Sequence, residues 1–295
     1  MPSVSHVIVS RAESGQKLLQ FIERQLQGQV PRSAIMRWIR TGQVRVDGGR
    51  CKPFVRIRQG QSVRLPPYTE GQETRGVRGT SCNPFALRRV HEDGEILVLA
   101  KPPNLATQPG TRVEDSVSDR LQSEYAHSDW TPALVHRLDK DTSGLLLVAK
   151  SYFALQHLQG LWRSGAVTKV YVAWVQGGWA CPEWTCLRDE LPKEKDGRLQ
   201  QVRAESWVTC LRHTPEASLL GVRLITGRKH QIRIQLARRG YPIVGDRKYG
   251  PGKSVGQGLL LHAAILGWQG RLFSLAPPWE EPFAVSEQEL LCLPK

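Results

Sequence analysis

The sequence predicts an α+β protein: a sheet-rich domain, mainly antiparallel or mixed, behind a small basic module of helices and short strands. Three observations carry that reading. Apolar segments of strand length outnumber helical ones and do not alternate strictly with them, as a doubly wound parallel sheet requires. The charge is lopsided: of the net +14 on 295 residues, residues 1–66 carry +9, from twelve Lys/Arg against three acids, and the rest carry +5. A stretch without apolar periodicity, residues 67–88, separates the two regions.

Within the module, residues 11–66, Leu18, Ile22 and Leu26 recur every fourth position, the spacing of an amphipathic helix. Pro31 and Ser33 open a second helix, with Ile35, Met36 and Ile39 on its apolar side and Gly42 at its end. Val44–Val46, a turn at Asp47-Gly48-Gly49, Val55–Ile57 and Val63–Leu65 follow as strand candidates, with valines and isoleucine inward and arginines outward. Glu13, Glu23 and Asp47 are the only acids in residues 1–66. The arginines therefore lack local partners. A field of this sign attracts a polyanion, either nucleic acid or an anionic membrane surface.

Beyond the linker, residues 89–295 form the larger domain. Its strand candidates are Glu95–Ala100, Leu145–Ala149, Val170–Val175, Trp207–Leu211, Leu219–Ile225 and Leu261–Leu266. Its helical stretches are Val117–Tyr125, Phe153–Ser164 and Gln231–Arg239. No apolar run reaches membrane-span length, and Met1–Ser10 lacks the pattern of a secretory signal. Six scattered cysteines without a CxxC make neither a zinc site nor a disulfide framework, so a reducing cytoplasm is the expected location.

The chemistry concentrates in Val135-His136-Arg137-Leu138-Asp139-Lys140-Asp141-Thr142-Ser143-Gly144, which feeds the strand at Leu145. Three readings compete for it. One is a plain turn closed by Asp141, Thr142 and Gly144. A kinase-like HRD loop fails, because no DFG and no glycine-rich phosphate loop accompany it. The third is a catalytic carboxylate at Asp139 beside a cation.

This stretch resembles the signature of the RluA-type pseudouridine synthases, and other segments resemble that family in the same order. They are Lys101-Pro102-Pro103 through Pro109-Gly110, Lys169-Val170-Tyr171-Val172-Ala173, Thr226-Gly227-Arg228-Lys229-His230-Gln231-Ile232-Arg233, and Pro242, Gly245-Asp246, Tyr249-Gly250 with Leu261-His262-Ala263. Ala100, Asn104 and Gln108 depart from the family's usual residues in the lysine–proline loop. Residues 14–66 look like the S4-type RNA-binding module often placed ahead of such a domain. The arrangement is most similar to the RluC branch, which acts on 23S ribosomal RNA.

The resemblance implies isomerisation of uridine to pseudouridine in structured RNA, with no cofactor, no metal, no membrane and no obligatory protein partner, by a cytoplasmic monomer. It implies Asp139 as the nucleophile, Arg233 as the arginine paired with it, and Tyr171 as the residue stacked on the base. It further implies that Arg137 fills the space left by a flipped-out uridine. Ile232 would add an apolar wall. Arg32, Arg37, Arg40 and Arg45 would hold RNA from the module. A salt bridge from Arg137 to Asp139 or Asp141 is the plainer alternative for that residue. His136, His230 and His262 are expected to serve as structural hydrogen-bonding groups. Two other functions stay open at this point: a non-catalytic ribosomal RNA binder, and a glycosidase with Asp139 and Asp141 as paired carboxylates.

Overall fold

The computed structural model describes residues 4–26, 30–68, 86–110, 113, 115–126, 128, 130–195, 198–251 and 256–293. Most of the expected linker, residues 69–85, lies outside them.

The N-terminal region runs β1 (Ser5–Ile8), α1 (Leu18–Gln25), α2 (Arg32–Thr41), β2 (Arg45–Val46) and β3 (Ser62–Leu65). The strands form a small antiparallel sheet in the order β1-β3-β2. Leu18, Leu19, Phe21 and Ile22 of α1 and Ile35 and Ile39 of α2 meet Val44, Ile57 and Val63 in one buried cluster. Gly42 ends α2 in the left-handed conformation, φ 76°, which glycine adopts without a Cβ penalty.

Two expectations fail here. Ser5–Ile8 is a strand that the sequence reading passed over. Val55–Ile57 is not one. That segment runs beside residues 15–18 instead, with Leu18 N–H donating to Val55 O and Ile57 N–H to Gln16 O. The inward–outward alternation breaks with it: Ile57 is fully buried and Val55 is exposed. One arginine also finds a local partner, since Arg32 pairs with Glu23 at 2.6 Å.

This region packs on the larger one through two arginines. The Arg24 guanidinium lies 3.7 Å over the Trp130 ring and donates to Thr131 O. Arg56 donates to Gly15 O at 2.6 Å and to the Tyr152 hydroxyl at 3.4 Å.

The larger region contains β4 (Arg88–Glu92), β5 (Ile96–Lys101), α3 (Val117–Glu124), β6 (Ala133–Leu134), β7 (Ser143–Ala149), α4 (Tyr152–Arg163) and β8 (Thr168–Gln176). It continues through β9 (Thr185–Lys195), β10 (Arg198–His213), β11 (Ala217–Leu224), α5 (Gln231–Ala237), β12 (Leu261–Trp268), β13 (Arg271–Ser274) and α6 (Glu287–Leu291). Among the described residues, ten strands make one mixed sheet, ordered β4-β5-β7-β12-β8-β11-β10-β9, with β13 on β12 and β6 on β7. Every pairing among these strands is antiparallel except β7 with β12.

Both faces of the central strands are covered, which is why they read as continuous apolar runs rather than alternating ones. Leu97, Leu99 and Leu146 face Val117 and Leu121 of α3, whereas Val98, Leu145 and Leu147 face Leu155 and Leu158 of α4. Along β8, Ala173 and Val175 meet Ile232 and Leu236 of α5, and Val172 and Trp174 meet Leu290 of α6. No helix among the described residues is long and apolar enough to cross a membrane.

The β9–β10 hairpin extends well past the expected Trp207–Leu211 strand. Charged residues and Pro192 hide β9 in the sequence, and its edge position tolerates both.

The parallel contact between β7 and β12 sets the centre. Gly144 (φ 117°) faces Ala263, and a Cβ there would sit 2.4 Å from Ala263 O, so only glycine allows the approach. Beside it, Leu275 O accepts from His262 Nε2 at 3.1 Å, leaving Nδ1 to accept from the Ser143 hydroxyl at 2.8 Å. Burial lowers the His262 pKa to about 4, so the imidazole is neutral in the fold. The unfolded chain takes up that proton near pH 6.5. Unfolding therefore binds an extra proton between these values, so stability is lost as pH falls through this window, by at most about 1.4 kcal/mol per unit for this group. Urea unfolding of His262→Gln between pH 6.5 and 4.5 is expected to show a slope about one proton shallower than wild type. An identical slope would show that His262 does not titrate on unfolding.

Candidate active site

The loop leading into β7, one side of β8 and the segment entering α5 enclose a cleft of about 380 Å³. Asp139, Tyr171, Arg233, Arg137 and Ile232 all line it, though they lie up to 96 positions apart in the chain. The sheet order explains the convergence. β7 follows the Asp139 loop, β8 carries Tyr171, and the strand between them, β12, holds the two at fixed spacing.

The Asp139 loop is fixed by its backbone. The Thr107 hydroxyl donates to Leu138 O at 2.5 Å and accepts from Leu138 N–H at 3.1 Å. On the other side, the buried Lys101 ammonium donates to Lys140 O at 2.9 Å, to Leu105 O at 2.7 Å and to Pro102 O at 2.8 Å. Three carbonyls use all three ammonium protons. Thr142 N–H closes the turn onto Asp139 O at 3.2 Å. Burial brings the Lys101 pKa down to about 7, against the pull of Asp141 and Asp139. Asn104 has φ 63°, a left-handed geometry that asparagine tolerates. The lysine–proline segment is thus the fastening of the carboxylate loop.

Arg233 departs from expectation. Its guanidinium donates through Nε and an Nη to the two oxygens of Asp246, at 2.8 and 2.7 Å, and both side chains are buried. The direct partner is Asp246 and not Asp139. Asp246 also accepts from the backbone N–H groups of Lys248 and Tyr249, and these bonds together hold its pKa low against burial. Asp139 still feels Arg233, as one of the carboxylates that raise the guanidinium pKa. The reason is geometric: α5 presents Arg233 to Asp246 in a fork-to-fork alignment.

Tyr171 pairs across β8 with Val222 on one side and Ala263 on the other. Burial and, next, the Asp139 charge push its phenol pKa up, so it is a neutral phenol.

The histidines divide. His136 stacks on Trp162 at 4.2 Å, accepts from Leu147 N–H at 3.0 Å, and has its pKa lowered to about 3 by burial. With His262, it has the expected structural role. His230 does not stay on that side. It starts α5 at φ 54°, with Nδ1 2.8 Å from the Tyr249 hydroxyl and Nε2 3.8 Å from an Asp139 oxygen. Burial lowers its pKa first, Asp139 opposes that, and Arg233, Lys248 and Lys229 add to it. The sequence signal for it was its place three residues before Arg233.

Arg137 is exposed at the cleft, and no ion pair is formed by it among the described residues. The plain salt-bridge alternative is not realised. Asp141 faces Lys101 electrostatically and does not line the cleft, so the paired-carboxylate arrangement of a glycosidase is absent. Arg32, Arg37, Arg40 and Arg45 are exposed on the N-terminal region, away from the cleft lining.

Comparison with known proteins fits this geometry. The family model for RNA pseudouridylate synthase matches residues 95–238, which include the Asp139 loop, Tyr171 and Arg233. The ribosomal large subunit pseudouridine synthase C of Escherichia coli strain K12 is 34% identical over 95% of this chain and 94% of its own. That of Salmonella typhi is 36% identical, over 90% and 88%. Among solved structures, human RNA pseudouridylate synthase domain containing 4 covers 65% of this chain and 88% of its own at 24% identity, with a TM-score of 0.53, a likeness of fold. With identity of this extent along nearly its whole length to these ribosomal large subunit pseudouridine synthases, the chain belongs to the RluA-type RNA pseudouridine synthases.

Proposed function

We propose that this RNA pseudouridine synthase modifies uridines in 23S ribosomal RNA, with Asp139 as its nucleophile and with the target base flipped into the cleft. The observation that carries the reading is one carboxylate, fixed on both sides by its backbone, in a cleft lined by Arg233, Tyr171 and Arg137.

The chemistry balances within the substrate. The N1–C1′ bond breaks, a C5–C1′ bond forms, the C5 proton leaves and N1 takes one up. A transient covalent bond to Asp139 holds one half of the nucleotide while the other turns. Attack requires a charged carboxylate, and the Arg233 cation interacts with Asp139 electrostatically. Because Asp246 fixes that cation beforehand, little reorganisation is needed as charge develops. Tyr171 offers its ring as a stacking face beneath the base, with Ile232 beside it. Burial first, and after it the charge on Asp139, keep the phenol protonated. Formation of the covalent bond removes the smaller of these two effects at the step where the C5 proton leaves.

A base stacked in a duplex cannot be reached in place, and flipping it costs a few kcal/mol. Arg137, unpaired and exposed, can stack in the vacated space. The N-terminal region is read as an S4-like module, residues 11–66, joined by the linker to a catalytic domain at 89–295. Its arginines would supply sequence-independent affinity for the phosphate backbone.

Pseudouridine mapping of 23S RNA from a deletion strain tests this. Wild type and Asp141→Asn should restore the missing positions, and Asp139→Asn should restore none. Since Asp246 holds Arg233, Asp139→Asn orphans no buried cation and should fold and bind RNA like wild type. Restoration by Asp139→Asn would remove the nucleophile assignment; an unchanged map in the deletion strain would remove the substrate. In single-turnover assays, Arg137→Ala should slow reaction on a duplex-embedded uridine about tenfold or more beyond its effect on an unstructured strand. Equal losses on both would count against the gap-filling role.

A further inference from the structure

A second concavity lies on the N-terminal region, outside the cleft, with a volume of about 620 Å³. It is lined by Arg50, Lys52, Phe54, Val55, Arg56 and Gln61 among others. Its apolar wall is unusual for a surface this basic. Phe54 is 57% exposed and Val55 43% exposed. The reason is the failed strand: residues 55–57 attach to residues 15–18 instead of to a sheet, which buries Ile57 and leaves Phe54 and Val55 facing outward. The Lys17 ammonium sits 5.4 Å from the centroid of the Phe54 ring.

The surrounding charge has one sign. Among the described residues, no carboxylate lines the concavity. The nearest acid in sequence, Asp47, already accepts from Gln61 Nε2 and from Ser62 N–H, one bond to each oxygen. Arg50 and Lys52 are exposed and form no ion pair among the described residues. Arg56 carries the surface to the larger region through its bond to the Tyr152 hydroxyl.

We propose that this concavity is a base-stacking subsite for single-stranded RNA. A base lies on the Phe54 ring, and its flanking phosphates meet Arg50 and Lys52. The proposal rests on the reading of the protein as an RNA-modifying enzyme, and it assigns a contact separate from the cleft and from the α2 arginines. Charge complementarity selects this occupant. A second copy of the same face would bring cations against cations. An exposed aromatic ring among unpaired cations matches what a nucleotide offers, a flat π-face with phosphates on either side.

Stacking and phosphate contacts respond differently to salt, so one experiment separates them. The full chain is titrated with a fluorescently labelled oligouridylate at 50 and 200 mM salt. Phe54→Ala is expected to weaken binding about tenfold at both, since one stacked base is lost and no charge is removed. Phe54→Trp is expected to bind like wild type. The double variant Arg50→Gln/Lys52→Gln is expected to lower the salt slope by about 1.4, from two phosphates at roughly 0.7 each on a single strand. Phe54 is exposed, so its loss leaves the fold intact, which a thermal melt verifies. Wild-type affinity of Phe54→Ala at both salts overturns the subsite. So does binding to phosphatidylserine vesicles that depends on Phe54 while oligouridylate binding does not. Pseudouridine formation is assayed separately with the wild-type chain, so absent turnover there bears on the enzymatic reading, and wild-type affinity of Phe54→Ala bears on the subsite alone.

Discussion

The site depends on the fastening of the Asp139 loop. A carboxylate on a surface turn would sample many positions, and a displacement of about 1 Å can cost about a hundredfold in rate. Here the backbones of the two residues on either side of Asp139 are tied down. The Thr107 hydroxyl holds both polar groups of Leu138, and the Lys101 ammonium holds Lys140 O. Both ties come from one segment, the end of β5 and the loop after it. That segment is itself locked to β7, where Lys101 pairs with Gly144. The order β5-β7-β12-β8 therefore serves the loop: it brings the fastener, the carboxylate and the tyrosine strand side by side.

The electrostatics follow the same logic. A buried arginine beside a catalytic acid would be costly if its only partner were that acid, because reaction would strip it of its counter-charge. Asp246 removes that difficulty. The Arg233–Asp246 pair is complete before any substrate arrives, and removing either member would leave a buried charge at a cost of about 3–5 kcal/mol. Arg233 can thus act on Asp139 through space without being consumed by it. His230 adds a second fixed dipole, held by Tyr249 and aimed at the carboxylate.

Much of this was legible in the sequence, for identifiable reasons. The apolar runs at Ile96–Ala100, Leu145–Ala149 and Leu261–Leu266 announce strands buried on both faces, and the charge excess marks the N-terminal region. Asp139, Tyr171, Arg233 and Arg137, which the resemblance singles out in the sequence, line one cleft. What escaped depends on long-range partners. Nothing near Arg233 says that Asp246, thirteen residues on, takes its guanidinium. No local pattern tells a buried, triply bonded Lys101 from a surface lysine. Val55–Ile57 has strand composition but finds a different neighbour, and β9 is a strand despite Pro192 because it lies at an edge.

The most direct test of the account is the single-turnover rate of Thr107→Val and Thr107→Ser, read as tritium released from C5-labelled uridine in ribosomal RNA. Valine keeps the shape of threonine and removes the hydroxyl that grips Leu138; serine restores it. The account predicts that Thr107→Val falls about tenfold to a hundredfold in rate with RNA affinity unchanged, and that Thr107→Ser recovers most of the loss. A wild-type rate for folded Thr107→Val would contradict the claim that the fastened loop positions the carboxylate.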